Sequence, residues 1–359
     1  MRKAFTLIEL VVSLAILAVV LSFAGVIFKV SIGSHRLAPA NAEIMQKLRT
    51  IAEQLDADFR GLRKDADILV IWSAARNLNY VDPDPSNPNP NHPAAFERFD
   101  RIMFFTTGDF QTYAGNPVVR GNIARVCYTL ARGPSADPAD PNWPREQKPP
   151  KRILARTQHI LVAPANPSEQ LDTSQFTDSQ WLAWNSEQES DKITLAGWRQ
   201  LPIADKVNML SVIGDVTVQG PPDSTTKEAA RGVLIDRAQP ASIHALFCEG
   251  VGQFTVQGWS DLQGRWIPEV NPNGDKSLDD SDFILQGADL HPTRNPGVWY
   301  PWGGVTLRGI QYDSQNIDEA DFNGIPGLGR ALKFTFKLYD SRGLIKNGRT
   351  FTHIVYLDD

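Results

Sequence analysis

Between Phe5 and Phe28 the chain is an apolar run in which Glu9 is the only charge. As a helix rising about 1.5 Å per residue, such a run exceeds a hydrocarbon core of about 30 Å. One membrane span is therefore predicted, over residues 5–30, and no other segment is apolar enough for a second. Arg2 and Lys3 precede the run and a long polar remainder follows it, which places the short end in the cytoplasm and the bulk of the chain outside. A secretory signal would have a shorter apolar core closed by an A-x-A-like cleavage site. A permanent anchor fits the pattern better.

From Asn41 the apolar positions Ile44, Leu48, Ile51, Leu55, Phe59 and Leu62 step by three or four, the signature of an amphipathic helix. It continues the anchor outward over residues 31–65, with Pro39 a candidate kink. Glu43, Gln46, Lys47, Arg49, Glu53 and Asp56 mark its wet side. The pattern then changes to short runs of branched and aromatic residues: Ile68–Trp72, Arg101–Phe105, Ala124–Leu130, Ile153–Leu161, Ala245–Val256, Gly304–Gln311, Leu332–Tyr339 and Phe351–Leu357. Helix first and strands afterwards predicts an α+β fold, a long N-terminal helix packed on an antiparallel sheet. The β-rich domain spans 66–359, with extended loop inserts near 82–96, 133–150, 164–205 and 268–303, the first two crowded with Pro, Asn and Asp.

Charge narrows the function. A net charge of -5 and a pI near 5.7 leave no basic field for phosphates, so nucleic acid is not an expected partner of this domain. Cys127 and Cys248 suffice for one long-range disulfide in an oxidising compartment, or are two buried thiols. H-E-x-x-H, G-x-S-x-G and G-x-x-x-x-G-K-[ST] are absent, and the six histidines are scattered, so no catalytic residues are assigned. His159 and His244 read as satisfied residues of apolar strands.

Glu9 is the informative residue, because a carboxylate inside a membrane helix costs about 2.5–3.5 kcal/mol on insertion scales. Cleavage between Ala4 and Phe5 would supply a counter-charge. The new Phe5 amine lies one turn from Glu9, or within reach of Glu9 on a neighbouring subunit. The segment Arg2-Lys3-Ala4-Phe5-Thr6-Leu7-Ile8-Glu9-Leu10 resembles the signal of type IV pilin-like prepilins, with Ala4 where that family usually has Gly. The resemblance implies a prepilin peptidase that cuts after Ala4 and N-methylates Phe5, and a single-pass protein of the bacterial inner membrane with its C-terminal domain in the periplasm.

Further along, Ala52-Glu53-Gln54-Leu55-Asp56-Ala57-Asp58-Phe59-Arg60, Arg125-Val126-Cys127-Tyr128-Thr129-Leu130, Ile153-Leu154-Ala155-Arg156, Leu246-Phe247-Cys248-Glu249-Gly250-Val251 and Ala331-Leu332-Lys333-Phe334 are similar, in order, to the J-type minor pseudopilin of the type II secretion system. That resemblance implies a structural subunit that helps initiate or cap a pilus-like fibre, with other pseudopilins or minor pilins as partners. A minor type IV pilin or a surface adhesin is the alternative, the adhesin using exposed aromatics drawn from Trp181, Trp184, Trp198, Trp259, Trp299, Tyr300 and Trp302.

One further segment carries candidate ligands. In Asn271–Asp282, the side chains of Asn271, Asn273, Asp275, Ser277, Asp279 and Asp282 supply oxygens at the spacing of an EF-hand calcium loop, with Leu278 as the inward apolar residue. Lys276 stands where such loops need Gly. A solvated Asn/Asp-rich turn is the competing reading.

Overall fold

The computed structural model describes residues 7–76, 81, 96–113, 117–133, 147–172, 176, 178–210, 233–261, 264–270, 284–285, 297–300, 306–313, 316–326 and 329–357. Anchor and amphipathic segment form one helix, α1 (Leu7–Arg60), 54 residues that continue through Pro39. At about 1.5 Å per residue it is about 80 Å long. Its two halves meet different surroundings: positions 7–37 are exposed apart from half-buried Ala24 among those described, whereas Ala40, Ile44, Ile51, Leu55 and Phe59 are buried. The stripe read from spacing is the face the helix buries. Its end is set by Gly61, where a Cβ would stand 2.3 Å from the Thr107 carbonyl oxygen. The bare backbone lets Thr106 Oγ1 donate to the Asp58 carbonyl at 2.7 Å and Thr107 N to the Gly61 carbonyl at 2.8 Å.

Next come β1 (Ile68–Ile71), β2 (Ala74–Arg76), β3 (Phe96–Arg98), β4 (Arg101–Gln111), β5 (Arg120–Arg132) and β6 (Ile153–Leu161). A stretch of short elements follows: α2 (Asp178–Glu187), β7 (Ser190–Asp191), α3 (Leu195–Arg199), α4 (Ile203–Asn208), β8 (Val233–Leu234) and α5 (Pro240–Ile243). The chain continues through β9 (Leu246–Glu249), β10 (Val251–Ser260), β11 (Arg265–Ile267), β12 (Glu269–Val270), β13 (Ile284–Leu285) and β14 (Gly297–Tyr300). Then come β15 (Thr306–Asp313), β16 (Asn316–Pro326), β17 (Ala331–Leu338) and β18 (Arg349–Tyr356). The larger sheet runs β16-β15-β14-β1-β4-β5-β6-β7, with β8 beside β5 and β9 beside β6; a second sheet runs β11-β10-β17-β18. Both are antiparallel apart from the short β5-β8 and β6-β7 pairings. The α+β arrangement expected of a pilin-like chain is the one adopted.

One core joins α1 to both sheets. Ile44, Ile51, Leu55 and Phe59 pack with Val70, Phe104, Val126 and Tyr128 of the larger sheet and Phe254, Phe334 and Phe336 of the smaller. Phe59 stacks on Phe104 with centroids 4.3 Å apart. β17 shows why these residues form such a sheet: Leu332, Phe334, Phe336 and Leu338 alternate inward with half-exposed Lys333, Thr335 and Lys337, the period-2 pattern of a strand with one wet face.

Two sequence expectations change. The apolar run Ala245–Val256 is two strands in two sheets, divided at Gly250, whose φ of 79° is left-handed. A Cβ there would stand 2.8 Å from the Tyr339 carbonyl oxygen, so only glycine makes this corner. The insert at 164–205 is a folded layer over the second face of the larger sheet, where Trp181, Trp184, Trp198, Val207 and Leu210 pack with Leu69, Phe105 and Cys127.

The disulfide does not form. Both cysteines are free and buried. Cys127 pairs across strands with Thr157, and Cys248 with Leu154, three residues away on β6. An odd separation puts the two thiols on opposite faces of the sheet. Burial pushes both pKa values up to about 11, which makes them inert.

Candidate functional site

The exposed half of α1 is a surface built for surroundings other than water. Leu10, Leu14, Leu17, Leu21 and Phe28 are all more than half exposed, and the helix is long and apolar enough to cross a membrane. Its polar atoms are absorbed locally: Ser13 Oγ donates to the Leu10 carbonyl and Ser22 Oγ to the Ala18 carbonyl, each at 2.8 Å, as hydrocarbon surroundings demand. Glu9 lies in the first turn on this exposed surface. An acid there also suits the positive end of the helix dipole. Ala4 and Phe5 lie outside the described residues.

The other half of α1 is held by charge as well as by apolar packing. Asp58, 5 % exposed, accepts two hydrogen bonds from Arg156, Nε to Oδ2 at 2.8 Å and Nη2 to Oδ1 at 2.7 Å, and one from Tyr128 Oη at 2.5 Å. Burial would lower the Arg156 pKa, but Asp58 carries it above its ordinary value. Nearer the anchor, Glu43 binds Lys47 at 2.8 Å and accepts from Ser341 N and Oγ, while Lys47 donates to the Tyr339 carbonyl. On another face, His353 meets Asp56 at 2.8 Å. These contacts fix the rotation and height of the helix against the domain.

The model of the family described as the prokaryotic N-terminal methylation motif matches residues 1–25. The chain carries the N-terminal signal of a type IV pilin-like prepilin. In this prepilin the matched segment comprises the basic start, Glu9 and most of the exposed apolar run, and such a motif implies processing by prepilin peptidase and assembly with other pilins at a membrane. No curated protein and no solved structure matches the chain.

The remaining candidates divide. Trp181, Trp184, Trp198, Trp299 and Tyr300 are buried and Trp259 is half-buried, edge-to-face on Trp266; they form cores rather than an exposed aromatic face. Trp302 and the calcium candidates Asn271, Asn273, Asp275, Ser277, Asp279 and Asp282 lie outside the described residues. His159 is a core residue of the prepilin: its Nδ1 lies 2.7 Å from Asp191 Oδ1, and Arg125 Nε donates to Asp191 Oδ2 at 3.0 Å. The sequence carries no sign of this cluster or of the pairing of Asp58 with Arg156, because no spacing links residues that meet only in the folded chain.

A cavity of about 620 Å³ opens beside Gln54 of α1. Arg156, Gln158 and Glu189 line one part of it, Ile243 and Phe247 another. Mixed walls of this kind suit a side chain or short segment of a partner.

Proposed function

We propose that this prepilin is a minor pseudopilin similar to the J-type subunit of the type II secretion system, which helps start or cap a pilus-like fibre from the periplasmic side of the inner membrane. The observation that carries the reading is the division of α1 into an exposed apolar half bearing Glu9 and a half locked into the domain. The exposed half packs among like helices, Glu9 pairing with a methylated Phe5 amine of its own or an adjacent chain. The locked half presents the domain, with the cavity beside Gln54 available to neighbouring minor subunits. No role in the reading requires catalysis; the chain is a structural part.

The test is Glu9→Ala. Removing a charge eases membrane partitioning, so insertion is expected to be unchanged, whereas recovery of the subunit with sheared fibres or co-purified pilins should fall about tenfold or more, the factor worth about 1.4 kcal/mol. Normal incorporation of the Ala variant would remove the pairing from the mechanism. A second test addresses the Asn271–Asp282 segment, which we propose binds calcium and stiffens its insert. Millimolar calcium should then raise the melting temperature through linkage, and Asp275→Ala with Asp279→Ala should abolish the rise. An identical melt with calcium and with chelator would assign the segment to an ordinary polar turn.

A further inference from the structure

The end of the domain nearest the anchor is built from two loops. Ala40 is the first described buried residue along α1, and the loop after β17 closes around this level through the Glu43–Ser341 and Lys47–Tyr339 contacts. Asp340, 1 % exposed, accepts from Leu344 N at 2.9 Å and Ile345 N at 2.8 Å, fixing the loop's shape. Held this way, the loop exposes Arg342, Lys346 and Arg349, with Leu344 36 % exposed at its turn. The 3-10 turn Pro149–Lys151 lies alongside: a Cβ on Gly250 would stand 2.9 Å from Lys47 Nζ and 3.6 Å from the Pro150 carbonyl oxygen. It adds exposed Lys148 and Lys151.

None of these five cations has an ion-pair partner among the described residues, although the chain as a whole carries -5. Nearby acids are already engaged, Glu43 by Lys47 and Ser341, Asp340 by the loop amides, and Glu249 by Arg237. Between this end and the apolar run, exposed Lys29 and Arg36 continue the positive charge along α1. From Phe28 to Ala40 is about 18 Å of helix. With a headgroup layer of about 5–7 Å, Ala40 stands about 11–13 Å above the headgroups, and because the loops lie to one side of the helix, a tilt of about 20° toward them lowers them by a few ångströms more, to about the Debye length of about 8 Å.

We infer that the loops carrying Lys148, Lys151, Arg342, Lys346 and Arg349 form a basic collar that rests on anionic phospholipid headgroups of the leaflet from which α1 emerges, with Leu344 at the contact. The inference rests on the membrane-anchored reading of α1. Docking holds the unassembled subunit at a defined height and tilt, and the same cations must leave the surface when the helix is drawn into a fibre.

The experiment uses the full chain, labelled with a fluorophore at Leu344→Cys, in vesicles of phosphatidylcholine alone or mixed with phosphatidylglycerol, with a quencher on the lipid headgroup. Native Cys127 and Cys248 are buried and label slowly. Quenching is expected to rise with phosphatidylglycerol, to disappear at high salt, and to be lost in an Arg342→Glu/Lys346→Glu variant, at about fivefold in the docked-to-free ratio for each cation removed. If charge reversal prevents folding, the lipid and salt comparisons still decide. Quenching indifferent to lipid charge overturns the collar. So does a label shielded only in assembled fibres, in either lipid, which would assign the cations to an acidic face of a neighbouring subunit. Flotation with neutral vesicles after a salt wash reports anchoring separately, so failure of the helix reading is distinguishable from failure of the collar.

Discussion

Replacing Asp58 with Ala should destabilise the folded domain by about 3–5 kcal/mol, the cost of stripping one partner from a buried ion pair. Two features put this change at the upper end of single-residue effects. Arg156 is 15 % exposed at its side chain and directs two guanidinium nitrogens at this one carboxylate, so its charge would be left under the helix with little access to water. Tyr128, fully buried, loses the acceptor of its hydroxyl at the same time, adding the cost of an unpaired polar group, about 1–3 kcal/mol. Asp58→Asn keeps the shape but surrenders the charge and should fall between the variant and the parent. Urea unfolding of the full chain in detergent reads the difference. A loss below about 1 kcal/mol, the range of surface pairs, would mean that water reaches Arg156 and that apolar packing alone docks the helix.

The Asp191→Ala variant should lose about as much, again about 3–5 kcal/mol, but in the insert layer rather than at the helix. Arg125, Asp191 and His159 are each 1 % exposed or less. The Arg125 guanidinium also donates to the Met209 carbonyl at 3.2 Å and lies 4.7 Å from the Trp184 ring centroid. One carboxylate thus ties β5, β6 and the helices of the insert together. Its loss should expose the indoles of Trp181, Trp184 and Trp198, visible as a red shift of tryptophan emission.

The same cluster gives the layer a pH dependence. Burial lowers the His159 pKa below its ordinary 6.5, and Arg125 adds to the effect despite the opposing pull of Asp191. Burial alone would raise the Asp191 pKa, but Arg125 and then His159 hold it below 3.8. A histidine that is harder to protonate folded than unfolded contributes stability that is fully present above about pH 6.5 and is lost as pH falls toward its folded value; the depressed carboxylate adds a second loss below about pH 3.8. Stability of the insert should therefore begin to fall below about pH 6.5. His159→Gln should remove that first limb. A parent protein whose unfolding is flat from pH 7 to about pH 5 would contradict the buried neutral imidazole.

Much of the N-terminal helix was legible because it is local. The long apolar run, the lone acid within it and the amphipathic stripe are readable from consecutive residues, since one helix determines its own neighbours at three and four positions. The eight strand segments read from the pattern all fall on strands for the same reason, their inward positions recurring every second residue, whereas β14 and β16 of the larger sheet went unread. The limits appear at Gly250, where an unbroken apolar run conceals a change of sheet, and at 164–205, where polar composition conceals an indole-filled layer. Tertiary structure alone decided that Asp58 meets Arg156, that Asp191 meets Arg125, that Cys127 and Cys248 lie on opposite faces, and that the loop after β17 docks on Glu43 and Lys47 of α1. Those partners are separated by tens to hundreds of residues, and charge attraction and close packing act through space, so no spacing along the chain records them.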